Sequence, residues 1–250
     1  MARLTYDGVP AKALAERWGV PQCGVFRKLP TTLDAVHDLA DQGAPHGTLI
    51  LADEQTTGRG RQGKVWHSPK GGLWMGFLAR PEQAQAGAVS LRLGLAVAEA
   101  VDAVVAQPAV LLKWPNDLMV QDRKLGGLLC EGRWQGDRLQ WLAIGIGINV
   151  ANEIPQPVAG RAIALSELVP DLRRIDLLDQ LMPAVLRVAG TGGPLTEAET
   201  EAWARRDWLR GRQIRTPVFG IVRGIRPDGA LLVDTGGRTT LVREGHVELA

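Results

Sequence analysis

Cysteine is scarce in this chain: Cys23 and Cys130 stand alone and far apart, with no C-x-x-C spacing and no His-rich stretch beside them. That excludes a zinc framework and a disulfide scaffold, and leaves two ordinary buried or half-buried thiols. Long apolar runs are missing as well. No stretch of roughly 18 uninterrupted apolar residues occurs, so no membrane-spanning helix is expected. The N-terminal "MARLTYDGVPAKALAERWGV" carries charges throughout, where a signal sequence needs an apolar core. A cytoplasmic location is therefore expected. Excess charge of one sign is also lacking: a formal net charge of +2 gives no broad basic stripe for nucleic acid or for a membrane surface. There is no internal repeat and no low-complexity tract. What is present, 45% apolar and 22% charged residues in 250, suffices to bury a core as one large domain or two unequal ones.

Periodicity orders the elements. "PAKALAERWG" predicts one short helix in residues 1–25, too little for a winged-helix DNA reader, and the ordered core is expected to begin near Phe26. "TTLDAVHDLADQG" reads as a helix capped by Thr and stopped by Gly43, with Leu33, Val36, Leu39 and Ala40 on one face. "GTLILADEQ" and "LWMGFLAR" read as strands on either side of a loop from Thr56 to Gly72. "AVSLRLGLAVAEAVDAVVA" is the longest helical pattern. "AVLLKW", ended by Pro115, then "DLMVQ", "KLGGLLCEGRW" and "LQWLAIGIGINV" predict four further strands, an α+β order and not alternating βαβ. Two helical patterns follow, "RIDLLDQLMPAVLRVAG", in which Pro183 is expected to kink or end the helix, and "TEAETEAWARRDWLRG". The remainder alternates in short segments broken at Pro227-Asp228-Gly229 and Gly236-Gly237, the pattern of a small all-β barrel. The expected organisation is an N-terminal extension over 1–25, a main domain over 26–210 and a β domain over 211–250.

"GRGRQGKV", Gly58 to Val65, fits the phosphate-binding pattern G-x-x-x-x-G-K-[ST] except at its last position. A P-loop must run straight into a helix, whose N-terminus supplies amides to the phosphates. Here "WHSPKGG" follows, and a helix is not expected there. The alternatives are a solvated basic loop or a glycine-relaxed loop whose Arg59 and Arg61 forks receive an anion with several phosphoryl oxygens. In "KWPNDLMVQDRKLGG", Asn116 and Asp117 lie on a turn and Lys124 opens the next strand. Such a pair is often only a turn, but a Lys aimed into a cleft can offset charge on a transferring group, and an Asp can hold magnesium or accept a proton. In "AIGIGINV" alternation puts Gly145, Gly147 and Asn149 on the face opposite Ile144, Ile146 and Ile148. Glycines on one strand face mean that a ligand or a packed helix approaches closely, and Gly126 and Gly127 repeat the device beside Lys124.

Taken together and in order, "QTTGRGRQGKVWHSPKGGLWMGFL", "KWPNDLMVQDRKLGGLLCEG" and "GIGINV" resemble the catalytic domain of biotin protein ligases over roughly residues 26–150, and "GIRPDGALLV" resembles that family's small SH3-like domain. The resemblance implies a mixed β-sheet flanked by helices, of the class II synthetase and biotin-lipoyl ligase type, with a C-terminal SH3-like barrel. It implies a short form of the family, without an N-terminal DNA-binding domain. It implies two steps: biotin and MgATP give biotinyl-5'-AMP and pyrophosphate, and a lysine of a biotin carboxyl carrier protein, the acetyl-CoA carboxylase subunit, or of another biotin-accepting domain, takes the biotin.

Residue by residue, the resemblance places Thr31, Thr32, Leu33 and Gln55 on the biotin ring, and Gly126, Gly127, Gly145 and Gly147 under it. Gly58, Arg59, Gly60 and Arg61 belong to the loop over biotin, with Arg59 and Arg61 also on the phosphates. Lys124 meets the carboxylate, Trp66 covers the adenylate, and Lys113, Asn116 and Asn149 hold the nucleotide. Lys124, Arg59 and Asp117 form the implied catalytic set, Asp117 for magnesium or proton transfer. Pro30, Leu33 and Gln62 depart from the family's usual acidic, polar and arginine residues. DNA binding and a membrane partner are not expected, while a homodimer is among the assemblies allowed. Two rivals are kept. A lipoate or octanoyl ligase shares the fold but lacks the "GRGRQG" run followed by Trp66 and Ser68-Pro69, and a nucleic-acid-binding regulator would show salt-sensitive binding to duplex DNA.

Overall fold

Two residues with left-handed backbone, Asp7 (φ 48°) and Gly8 (φ 85°), turn the chain back on itself between β1 (Thr5–Tyr6) and β2 (Val9–Pro10). In this computed structural model, residues 4–81, 86–105 and 109–250 are described. Helix α1 (Ala11–Trp18) follows, and Gly19 ends it in the left-handed region. Tyr6, Leu14 and Trp18 are buried in the main core, so the core begins well before the expected Phe26. The reason is tertiary: Trp18 Nε1 and Arg17 Nε both donate to Asp179 (2.9 and 2.6 Å), which ties the N-terminal segment to a helix some 160 residues on.

The main sheet is built from β3 (Cys23–Phe26), β4 (Leu49–Ala52), β5 (Leu73–Ala79), β6 (Leu111–Lys113), β7 (Asp117–Val120), β8 (Arg123–Gln135) and β9 (Arg138–Ile148). Its spatial order is β3-β4-β5-β9-β8-β7-β6, and only β3 and β4 run parallel. It is a mixed sheet, as expected. Helix α2 (Thr32–Asp41) starts where Thr31 accepts the Leu33 amide, a cap worth about 1 kcal/mol. It lays Leu33, Val36 and Ala40 on one face of the sheet against Ile50, Leu78 and Ala143. The opposite face is covered by α3 (Ala86–Asp102), against which α4 (Arg174–Val188) packs. Ala106, the last residue of the long helical pattern, and Met1 to Arg3 of the expected N-terminal extension lie outside the described residues.

Pro183 does not end α4, which runs through it. The ring sits on the exposed side, where water can take the Asp179 carbonyl that proline leaves without a donor. Helix α5 (Glu197–Arg206) opens with a capping box between Thr196 and Glu199. The chain ends in a five-stranded antiparallel sheet of β10 (Gln213–Thr216), β11 (Gly220–Ile225), β12 (Leu231–Asp234), β13 (Thr239–Val242) and β14 (Glu248–Leu249), with turns at the expected Pro227–Gly229 and Gly236–Gly237.

With ten residues, α2 covers β4, β5 and the near part of β9 only. The rest of that sheet face, where Gly127 pairs with Gly147 and Leu129 with Gly145, is left to a pocket.

Candidate active site

The pocket holds about 660 Å³, enough for a small-molecule ligand of two joined parts. Its two ends differ in chemistry. One is uncharged. Gln55 Oε1 accepts from the Thr32 amide (2.8 Å) and hydroxyl (3.2 Å), which turns its Nε2 to the Ser68 hydroxyl (2.8 Å). Gln55 thereby ties the start of α2 to the end of the loop. Leu33 caps the same end over Gly145, where a Cβ would lie 3.1 Å from the Leu33 side chain. Thus the close approach implied by the glycine face comes from side chains: Leu33 over Gly145, and Trp66 over Gly147, where a Cβ would lie 2.6 Å from Trp66 Nε1. Gly76 was missed, although a lone glycine inside "LWMGFL" was a signal; a Cβ there would lie 2.8 Å from the Thr32 carbonyl at the start of α2.

The loop from Gly58 to Val65 is not followed by a helix. It folds back as a small hairpin: the Gly60 amide donates to Lys64 O (2.7 Å), Arg59 bridges Val65, and Gln62 and Gly63 turn the tip at φ 56° and 71°. Gly58 is packed beneath it, where a Cβ would lie 2.6 Å from the Ser68 hydroxyl, and does not face the pocket. Gly60 does.

Arg59 and Arg61, expected to act together on phosphates, diverge. Arg59 spends its fork on carboxylates: Nε and Nη2 donate to Glu131 (3.0 and 2.8 Å) and Nη1 to Asp34 (2.6 Å). In this arrangement it offers no fork to a phosphate, because two nearer anions already hold it. Hydrogen bonds from His37 and then from Arg59 hold the Glu131 carboxyl down to about 2. Arg61 lines the pocket and, among the described residues, forms no ion pair. Lys113 is likewise unpaired and partly desolvated, with its ammonium 5.4 Å above the Trp208 ring. Burial and the neighbouring Lys124 and Lys64 lower its pKa, while Asp117 opposes them.

Lys124 and Asp117 meet at 2.5 Å, and the Lys124 ammonium also lies 5.1 Å over the Trp66 ring. A bulge brings Lys124 to this face. Leu118 pairs with Gly126 but Met119 pairs with Lys124, so Leu125 is the extra residue. Strict alternation would put Lys124 on the side of Gly126; the bulge sets it beside Gly127 instead. Gly126 is buried on the other face against Leu118 and lies outside the pocket. Asn116 Nδ2 donates to the Leu128 carbonyl (2.5 Å), and Asn149, which lines the pocket, accepts at Oδ1 from Asn152 (3.1 Å). Among the described residues, Trp66 Nε1 is buried without a partner.

The far wall has no counterpart in the sequence reading. Arg215 and Glu248 from the C-terminal sheet, His246 from the loop before β14, and Trp208 close the charged end, and Arg215 donates to Glu248 (3.0 Å). Burial, with Lys64 and Lys113 nearby, lowers the His246 pKa. Both thiols are inert: burial pushes Cys23 and Cys130 up to about 12.

Residues 25–149 match the sequence profile of the Biotin/lipoate A/B protein ligase family. The chain belongs to this family. Its relatives include the bifunctional ligase/repressor BirA of Bacillus subtilis, 32% identical over 236 residues, which make up 88% of this chain and 72% of that protein. Biotin--[acetyl-CoA-carboxylase] ligase of Mycobacterium tuberculosis is 32% identical over 233 residues, 87% of this chain and 84% of that one. Among solved structures, biotin protein ligase from Aquifex aeolicus in complex with biotin and ATP superposes with a TM-score of 0.78 at 28% identity, over 92% of this chain and 99% of the other. The family's mixed sheet and its C-terminal β unit are thus both present here. Among the described residues, no helix is long and apolar enough to cross a membrane.

Proposed function

We propose that this chain is an ATP-dependent biotin protein ligase that activates biotin as biotinyl-5'-AMP and transfers it to a lysine of a biotin carboxyl carrier protein. The observation that carries the reading is the pocket's polarity. A neutral, hydrogen-bonded end formed by Thr31, Thr32, Leu33 and Gln55 continues into an end with unpaired Arg61 and Lys113. That suits a ligand whose uncharged ring ends in a carboxylate placed against nucleotide phosphates. Its relatives' names agree.

In the first step the biotin carboxylate oxygen attacks the α-phosphorus and pyrophosphate leaves. Two anions must be brought together, so cations at the junction offset the repulsion. Lys124 is at that junction and is aimed by Asp117 until the substrates arrive. Arg61 and Lys113 meet the phosphates, Asn149 orients the nucleotide, and Trp66 closes over the mixed anhydride, which water would otherwise hydrolyse. In the second step the carrier lysine's amine attacks the biotinyl carbonyl, the amide forms and AMP leaves.

Magnesium arrives in this reading with ATP. Among the described residues, no group of three or more His, Cys, Asp or Glu could hold a metal ion. Asp117, already paired with Lys124, offers at most one carboxylate, which fits an ion carried on substrate phosphates. The proposed division assigns 26–210 to biotin and ATP binding and 211–250 to the cover over the charged end, with 1–25 as an extension packed on the first. The cytoplasm is the proposed location, where ATP and carrier proteins are made.

The test is mass spectrometry of a carrier domain incubated with the protein, MgATP and either biotin or lipoate. Biotinylation of one lysine with release of pyrophosphate is expected. Modification by lipoate alone, or transfer from an acyl-carrier thioester without ATP, would overturn the reading.

A further inference from the structure

Arg59 is the best-anchored side chain of the covering loop, and all its anchors lie on the scaffold. Asp34 and His37, three residues apart on α2, share one helix face. Asp34 takes Arg59 Nη1, and His37 Nε2 reaches Glu131 Oε2 at 3.2 Å, the same oxygen that accepts Arg59 Nη2. The histidine tautomer is set from behind. Trp141 Nε1 can only donate, and it donates to His37 Nδ1 (3.0 Å), so the imidazole proton lies on Nε2 and points at Glu131. The chain Trp141–His37–Glu131–Arg59–Asp34 thus runs from the sheet through α2 to the base of the hairpin. It crosses the sheet face next to the neutral end of the pocket, two residue pairs beyond Leu129 and Gly145.

We propose that Glu131 and His37 are positioning residues that hold Arg59 as the latch of the substrate-covering loop, so that Arg59 retains the bound adenylate through loop closure and not as a ligand of its phosphate. This deepens the biotin ligase reading and rests on it. Two observations favour the latch. Three guanidinium donors are already spent on carboxylates, and turning the fork to a phosphate would leave a half-buried Glu131 with only a neutral imidazole. Charge for the phosphates is available without Arg59, from Arg61 and Lys113, which line the same pocket and form no ion pair among the described residues.

The two roles predict opposite signs. If Arg59 were a phosphate ligand restrained by Glu131, removing the Glu131 charge would free the fork and slow adenylate release. If Arg59 is a latch, the same change loosens the loop and speeds release. The full chain would be loaded with biotin and MgATP, and loss of biotinyl-5'-AMP followed by filter binding after dilution, with a thermal melt of each variant. A parent protein that forms no adenylate would sink the ligase reading, whereas the latch is judged only on relative release rates. Glu131→Gln is expected to release adenylate faster, on the order of tenfold, since the pair is about a third exposed and screened. Arg59→Ala should match it, and the double variant should be no faster than either single one. His37→Phe should accelerate release less. Arg59→Lys, which keeps the charge but not the fork, should also release faster; it tests the latch even if Glu131→Gln does not fold. Slower or unchanged release in Glu131→Gln, additive effects in the double variant, or parent-like retention in Arg59→Lys would each overturn the proposal.

Discussion

The two ends of the pocket are held by different means. At the neutral end every polar group has a protein partner: Thr31 caps α2, and Gln55 joins Thr32 to Ser68. At the charged end Arg61 and Lys113 face the cavity with no paired carboxylate, and Trp66 Nε1 is buried with no hydrogen-bond partner, among the described residues. The first end is complete before substrate binds. The second is completed by the substrate, because only incoming phosphates supply the missing negative charge. Preorganised hydrogen bonds give selectivity for a ring, and uncompensated cations give attraction to a nucleotide.

The largest expected effect tests the junction between them. Lys124→Ala should lower single-turnover adenylate formation by about 10²-fold or more with both substrates saturating, because the lost charge acts on the transition state. A thermal melt should show the variant folded. Formation near the parental rate would mean that the ends meet elsewhere. Next, Gln55→Ala should raise the KM for biotin and leave that for ATP unchanged. It also leaves the Thr32 amide at the start of α2 without its acceptor, so it should cost about 1–3 kcal/mol of stability by chemical denaturation.

Asp207, beside the pocket-lining Trp208, sharpens the lesson with the opposite sign of charge. Its Oδ2 is buried without a hydrogen-bond partner among the described residues, and burial pushes its carboxyl up to about 6. The folded state therefore binds this proton more tightly than the unfolded chain. Its ionised form destabilises the fold above pH 6, and this penalty is relieved as the pH falls from about 6 to about 4. Asp207→Asn should then stabilise the protein by about 1–2 kcal/mol at neutral pH and by little at pH 4, as measured by melts across that range. The smallest effect is expected for Lys113→Ala, an unpaired cation. It should raise the KM for ATP by several-fold, with biotin binding unchanged and the melting temperature little changed, since only the Trp208 ring contact is lost and, among the described residues, no paired carboxylate is left behind. A loss of stability there would break the contrast between the two ends.

Much of this site was legible because its determinants are local. Thr31 as cap, Gly145 and Gly147 on one strand face, and the lack of a helix after Lys64 each follow from a few consecutive residues. Those signals, with the order of strands and helices and the turn residues of the C-terminal sheet, are what the sequence by itself determined. Side-chain period and backbone preference act within a turn or a strand. The rest required segments distant along the chain to meet. Arg59 and Arg61 are two residues apart and chemically identical, yet one is taken by Glu131, 72 residues on, and the other faces the pocket. One extra residue at Leu125, invisible to a period of two, set Lys124 beside Gly127 and turned Gly126 into the core. Asp179 drew the N-terminal helix into the core, and the C-terminal β unit supplied Arg215 and His246 as a wall. Only the tertiary structure decided these, because charge pairing and burial depend on which groups lie within a few ångströms in space, and no local pattern encodes that.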